Sequence, residues 1–224
     1  MIAEQFLEIQ AQIMQAIADA ADPAHQVHLI AVSKQQPEEK IEAALATGHR
    51  LFGENRVQEA QERWQKRRAD YPDLKLHLIG PLQSNKAADA VALFDVIETI
   101  DREKIAKAVA KEIAKQDKEM SCFVQVNTGM EPQKSGIAPE QVGEFVSYCQ
   151  HDLGLAIQGL MCIPPADEEA AMHFALLKKY ARALSLPHLS MGMSADFAEA
   201  ISFGADYVRV GSALFGERLP RKAS

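Results

Sequence analysis

The sequence predicts an α/β fold, a single (β/α)8 barrel preceded by one extra helix. Three observations predict it. Short apolar runs alternate with longer amphipathic segments eight times. Nothing that resembles a linker, hinge or low-complexity segment divides the chain, so residues 1–224 are expected to form one domain. A length of 224 residues is also common for one such barrel. A doubly wound open sheet is the rival, because eight alternations in this length do not exclude it.

The first segment, "MIAEQFLEIQAQIMQAIADAAD", places Ile2, Phe6, Ile9, Ile13 and Ile17 at helical spacing. Its Glu and Asp residues make it an amphipathic helix, neither a signal nor a transit peptide. The strand candidates follow as "VHLIAVS" (27–33), "RLFG" (50–53), "LKLHLIG" (74–80) and "FDVIET" (94–99). After them come "SCFVQVN" (121–127), "LAIQGLM" (155–161), "HLSM" (188–191) and "DYVRVG" (206–211). Between the strands, helices are expected near 37–47, 56–69, 84–91, 102–117, 139–151, 167–184 and 195–203. Asp101 is placed to cap the helix at 102–117, Pro139 suits a first turn, and Gly48 and Gly204 suit the left-handed stop after a helix. The last β/α unit is short, so the N-terminal helix is expected to cover the wall left open beside it.

Hydrophobic residues make up 47% and charged residues 25%, enough apolar surface for a large core without covalent staples. A net charge of −7 argues against nucleic acid or an anionic membrane as the main partner. The basic run "ERWQKRR" (62–68) reads as a solvated helix end whose cations complement the dipole. An anionic small ligand stays open, since local pocket charge need not follow the global sign. Cys122, Cys149 and Cys162 are far apart, which suits small core residues in a reducing cytoplasm rather than disulfides or zinc. No apolar run is long enough to span a bilayer.

A barrel of this kind carries its site at the C-terminal ends of the strands. Lys34 stands there after the first run; Glu54, Asn55 and Arg56 after the second; His77 in the third. The fifth and sixth open into "NTGMEPQKSG" and "MCIPP", the seventh into "SMGMSADF" and the eighth into "RVGSALFG". Phosphate sites in barrels commonly lie after strands seven and eight. Ser194 alone reads as an N-cap and Gly211 alone as a turn residue. Together with Ser212, at adjacent strand ends, they favour a phosphate. Lys34 alone reads as a lysine extending its amine to water. A phosphate site and an amine at one barrel mouth instead suggest pyridoxal phosphate, whose aldehyde forms an imine with a lysine. Arg209, near the end of the eighth run, would then meet the pyridine ring.

Other chemistries find less support. There is no HExxH, no metal-ligand spacing among the seven histidines, no GxGxxG, no Walker A loop and no complete nucleophile elbow. Glu54 could pair with a second carboxylate, but the sequence names none. His77 reads as a satisfied core histidine.

The blocks "LIAVSK", "FGENRVQE", "HLIGPLQSNK", "VNTGMEPQKSG", "GLMCIPP", "LSMGMSADFAEAI" and "VRVGSALFGER" resemble, in order from about residue 27 to 218, the pyridoxal phosphate homeostasis protein family, the YggS/PROSC-like proteins. The resemblance implies a barrel like the N-terminal domain of alanine racemase, in fold-type III of the pyridoxal phosphate proteins. It implies Lys34 as the Schiff-base lysine, Ser194, Gly211 and Ser212 as the phosphate-holding positions, and Arg209 as the arginine at the pyridine nitrogen. Asn55 falls in the family's GEN block near the cofactor, and Lys134 in its "QKSG" block, with no mechanism attached. The "LPRKAS" tail is less characteristic. The implied role is a cytoplasmic carrier that protects pyridoxal phosphate and releases it to cofactor-dependent apo-enzymes.

The alternative is an amino-acid racemase using the same imine. Two-base racemisation needs a second proton carrier, in alanine racemase a tyrosine from a β-rich second domain across a dimer. This sequence stops soon after the eighth run. Tyr71 and Tyr207 have no evident route to the site, and Tyr148 and Tyr180 fall on predicted helices. A non-catalytic monomer is therefore expected.

Overall fold

In the computed structural model, which describes residues 1–216, the eight apolar runs become eight parallel strands closed in sequence order. The strands are β1 (His28–Val32), β2 (Leu51–Glu54), β3 (Lys75–Leu78), β4 (Val96–Ile100), β5 (Ser121–Val126), β6 (Ala156–Cys162), β7 (His188–Met193) and β8 (Tyr207–Val210). Pairing of β1 with β8, His28 beside Tyr207 through Ala31 beside Val210, closes the TIM-type barrel and excludes the open sheet. The strands are apolar on both faces and so need cover on both sides, which the closed barrel supplies with side chains inside and helices outside.

The helices are α1 (Ile2–Asp19), α2 (Glu38–Ala46), α3 (Val57–Trp64), α4 (Arg67–Asp70), α5 (Ala87–Leu93), α6 (Glu103–Gln116), α7 (Val142–Ser147), α8 (Ala170–Ala183), α9 (Phe197–Ser202) and α10 (Ser212–Phe215). Gly48 and Gly204 take φ of +86° and +93°, and Pro139 opens a 3₁₀ turn ahead of α7. Three expectations are corrected. The segment 56–69 divides into α3 and α4, because no residue of α4 is buried to hold the helix straight against the wall. Residues 167–169, three successive acids, stay outside α8 for the same reason. Asp101 does not cap α6: its two oxygens accept from Arg102 Nη1 at 2.6 and 2.7 Å, and Arg102 occupies the cap position.

α1 packs against α2, α9 and α10. It buries Phe6, Ile9 and Ile13, and the Phe6 ring meets the edge of Phe215. Since α10 has only four residues, α1 covers the wall beside it, as the shortness of the last β/α unit predicts. The three cysteines are buried, and desolvation pushes each thiol up to about 12. Among the described residues no helix is long and apolar enough to cross a membrane. The end of the "VRVGSALFGER" block, Glu217 and Arg218, and the "LPRKAS" tail lie outside the described residues.

The basic run is not a solvated helix end. Arg63 is only 11% exposed and bonded to Glu54, Arg67 pairs with Glu38 and Glu42, and Arg68 reaches Asp95. A sequence shows the charges of 62–68 but not the acids that other elements bring against them.

Candidate functional site

The site begins where β1 ends. Val32 is the last strand residue, and Lys34 follows in a turn rather than on the strand itself. At the end of β2, Glu54 points outward to the helix layer, where its Oε1 accepts from Ser33 Oγ at 2.7 Å, Arg63 Nη1 at 2.8 Å and Trp64 Nε1 at 3.0 Å. Glu54 therefore pairs with a cation, and no second carboxylate meets it among the described residues. Asn55, one residue on, turns to the mouth. It is pressed there by the end of β3: a Cβ on Gly80 would drive into the Asn55 backbone, so glycine is required for the approach.

Across the mouth, Ser194 is not the N-cap of α9, a position Asp196 occupies. Its hydroxyl instead accepts from the backbone N–H of Gly211 at 3.2 Å and of Ala213 at 3.5 Å, tying the end of β7 to the start of α10. Gly211 has φ −121° and stands at the N-cap of α10.

Arg209 lies deeper, on β8, and is 4% exposed. Nη1 donates to Ser190 Oγ at 2.6 Å and Nη2 to the Cys162 carbonyl at 2.7 Å. Ser190 in turn donates to Glu98 Oε2 at 2.5 Å, and His77 Nδ1 meets Glu98 Oε1 at 2.6 Å. Burial alone would raise the Glu98 carboxyl; the bond and charge of His77, the charge of Arg209 and the Ser190 hydroxyl outweigh it and hold the group below its ordinary value. His77 is thus the satisfied core histidine that the sequence predicted. Glu98 and Ser190 were missed. The only trace of Glu98 in the sequence is one carboxylate inside the apolar run "VIETI", where a charge must find partners.

Lys34, Asn55, Ser194, Arg209, Gly211 and Ser212 all line one cavity of about 260 Å³ at the C-terminal mouth, with Ile79, Ile163 and Met193 as its apolar part. Asn55 Oδ1 is buried and finds no hydrogen-bond donor among the described residues. An adjoining cavity of about 280 Å³ shares Asn55, Ile79 and Ile163. Lys134 lines that second space and not the first, held to Glu131 at 2.5 Å and near the Pro164 carbonyl at 3.4 Å. None of the four tyrosines, all within the described residues, lines either cavity. Tyr207 begins β8 and stacks on His28 at the barrel floor. A larger cavity of about 750 Å³ lies at that opposite end, between α1 and the starts of β1 and β2. It collects none of the six residues, so size alone would misplace the site.

The family model described as "Alanine racemase, N-terminal domain" matches residues 9–219. A pyridoxal phosphate homeostasis protein of Pasteurella multocida is 38% identical over 227 residues, covering 97% of both chains. One of Pseudomonas aeruginosa is 40% identical over 222 residues, covering 97% of this chain and 96% of its own. The structure of PipY from Synechococcus elongatus PCC7942, solved with PLP bound, matches with a TM-score of 0.84 at 36% identity, covering 96% of this chain and 100% of that one. A barrel whose mouth gathers these six residues, and whose sequence aligns with those relatives almost end to end, belongs to the alanine racemase N-terminal domain family and, within it, to the pyridoxal phosphate homeostasis proteins.

Proposed function

We propose that this chain, acting as one domain, takes up pyridoxal phosphate, keeps it as a Schiff base on Lys34 and delivers it to cofactor-dependent apo-enzymes without turning over a substrate itself. The observation that carries this reading is the convergence of Lys34, Asn55, Ser194, Arg209, Gly211 and Ser212 on one cavity. The residues suit the group. Ser194 and Ser212 offer hydroxyl partners for a phosphate, and Gly211, lacking a side chain, lets the backbone come close to it. Ile79, Ile163 and Met193 offer apolar surface to a flat ring, and the Asn55 Oδ1 acceptor awaits a donor. When bound, the cofactor supplies an aldehyde for an amine and an electron-accepting ring.

The remaining chemistry belongs to the chain. Arg209 does not give up its proton, so toward a ring nitrogen it acts only as a donor and leaves that nitrogen unprotonated. Its bonds to Ser190 and Cys162 fix the guanidinium in place. An unprotonated ring is a weaker electron sink, which favours holding the cofactor over carbanion chemistry. The absence of any tyrosine from the cavity lining speaks the same way, against two-base racemisation. The reading includes a monomer working in the cytoplasm.

The test starts from protein mixed with pyridoxal phosphate. An imine absorbance band should form, borohydride should fix the cofactor to Lys34, and Lys34→Ala should lose that adduct. The loaded protein should then activate a cofactor-free enzyme faster than release into bulk solution allows. Robust alanine racemisation would sink the carrier reading, and a colourless wild type would sink cofactor binding altogether.

A further inference from the structure

The turn that carries Lys34 contains a strained residue. Gln35 takes φ +59°, a left-handed conformation that a side chain other than glycine adopts at a cost. Such strain persists only where its surroundings over-determine it. Much of that determination comes from one guanidinium. Arg63, on α3, donates from Nη1 to the Ser33 carbonyl at 2.7 Å and from Nη2 to the Gln36 carbonyl at 2.9 Å. It thus spans both ends of a turn whose closing bond runs from the Gln36 N–H to the Ser33 carbonyl at 3.1 Å.

Arg63 is itself seated from behind. Nη1 also donates to Glu54 Oε1 at 2.8 Å, and Nε donates to Glu38 Oε1 at 3.2 Å. The same Glu54 oxygen accepts the Ser33 hydroxyl and the Trp64 indole N–H, so turn, strand and helix meet on one buried atom. A wholly buried carboxylate paired to a nearly buried arginine is weak evidence for stability, because desolvation offsets the attraction. Its geometric content is larger. A planar fork with fixed donor directions can hold two carbonyls at a set separation, which a lysine ammonium on a flexible stem cannot do.

We propose that Arg63, seated on Glu54, is a positioning residue for Lys34: by clasping Ser33 and Gln36 it holds the strained turn that aims the Lys34 amine into the cavity. This inference rests on the reading that Lys34 holds the cofactor. Arg63 does not line that cavity, so its influence would pass through the turn alone.

The experiment compares Arg63→Lys, Arg63→Met and Arg68→Met with the wild type. Arg68 is the control: it bonds Asp95 and the Leu93 carbonyl, away from the turn. Two quantities are read: hydrogen exchange of the Gln36 amide in cofactor-free protein, and the pyridoxal phosphate concentration that half-saturates borohydride trapping on Lys34. Arg63→Lys keeps a charge beside Glu54 and is expected to fold, yet to exchange Gln36 faster and need about tenfold more cofactor, a difference of ~1.4 kcal/mol. Arg68→Met should lower Tm and leave both quantities at wild-type values. The proposal is overturned if Arg63→Lys matches the wild type in both, or if Arg68→Met loses as much as the Arg63 variants at equal Tm. Should Arg63→Met not fold, Arg63→Lys decides alone. A wild type that traps no cofactor would defeat the proposed function, and Gln36 exchange would still judge the clasp.

Discussion

Glu98 shows how one side chain at the centre of the barrel can govern a site it does not line. It takes Ser190 and His77 directly, and Arg209 lies 4.0 Å away. Its carboxyl is held below the ordinary value of 4.5, so its contribution to stability is present above the unfolded value and is lost as pH falls through the folded one. Glu98→Gln is therefore expected to destabilise the protein at neutral pH by about 3 kcal/mol, since it removes the negative charge beside the buried Arg209 guanidinium and puts an amide N–H where His77 or Ser190 had a carboxylate oxygen. Denaturant melts across the acid range provide the check. The gap between wild type and variant should close below pH 4.5, and a gap that stays constant would refute the assignment.

At the scale of elements, the mouth depends on close contact between successive strand ends. Gly80 stands where any Cβ would collide with the backbone of Asn55, while Gly143, inside α7, has only Leu184 at 3.8 Å. Gly80→Ala should cost about 1–3 kcal/mol from overpacking and also weaken cofactor uptake by displacing Asn55. Gly143→Ala should leave uptake unchanged and add about 0.5–1 kcal/mol, because glycine is a poor residue in a helix interior. Melting curves together with cofactor titration separate the two effects. Equal uptake in Gly80→Ala and wild type would show that Asn55 is not held in this way.

For the molecule as a whole, the weak place in the ring of helices is the last unit. α10 is four residues long, and α1 lies against it with Phe6 packed between Phe215 and His49. Phe6 is 1% exposed, so Phe6→Ala should cost about 3–5 kcal/mol. Because Ser194 bonds the backbone at the start of α10, the loss should also loosen the Ser194 side of the mouth. Equilibrium unfolding measures the first effect, and cofactor half-saturation the second. A variant of wild-type stability would mean that α1 does not complete the barrel wall.

The sequence by itself determined the strands, nearly all the helices, the closing role of α1 and the six residues at the mouth. Period-2 and period-3.6 patterns report burial, and burial decides element type. The residues at strand ends stand next to the pattern that locates them. What only the tertiary structure decided is pairing between distant charges. Arg63 finds Glu54 and two carbonyls of the Lys34 turn, and Arg209 finds Ser190 and Cys162. The Lys34 turn, Ser190 and Cys162 come from other β/α units than the arginines that meet them, and a carboxylate has no periodicity that names its cation. Closure of the barrel, which brings β8 beside β1, is what turns a list of strand-end residues into one cavity.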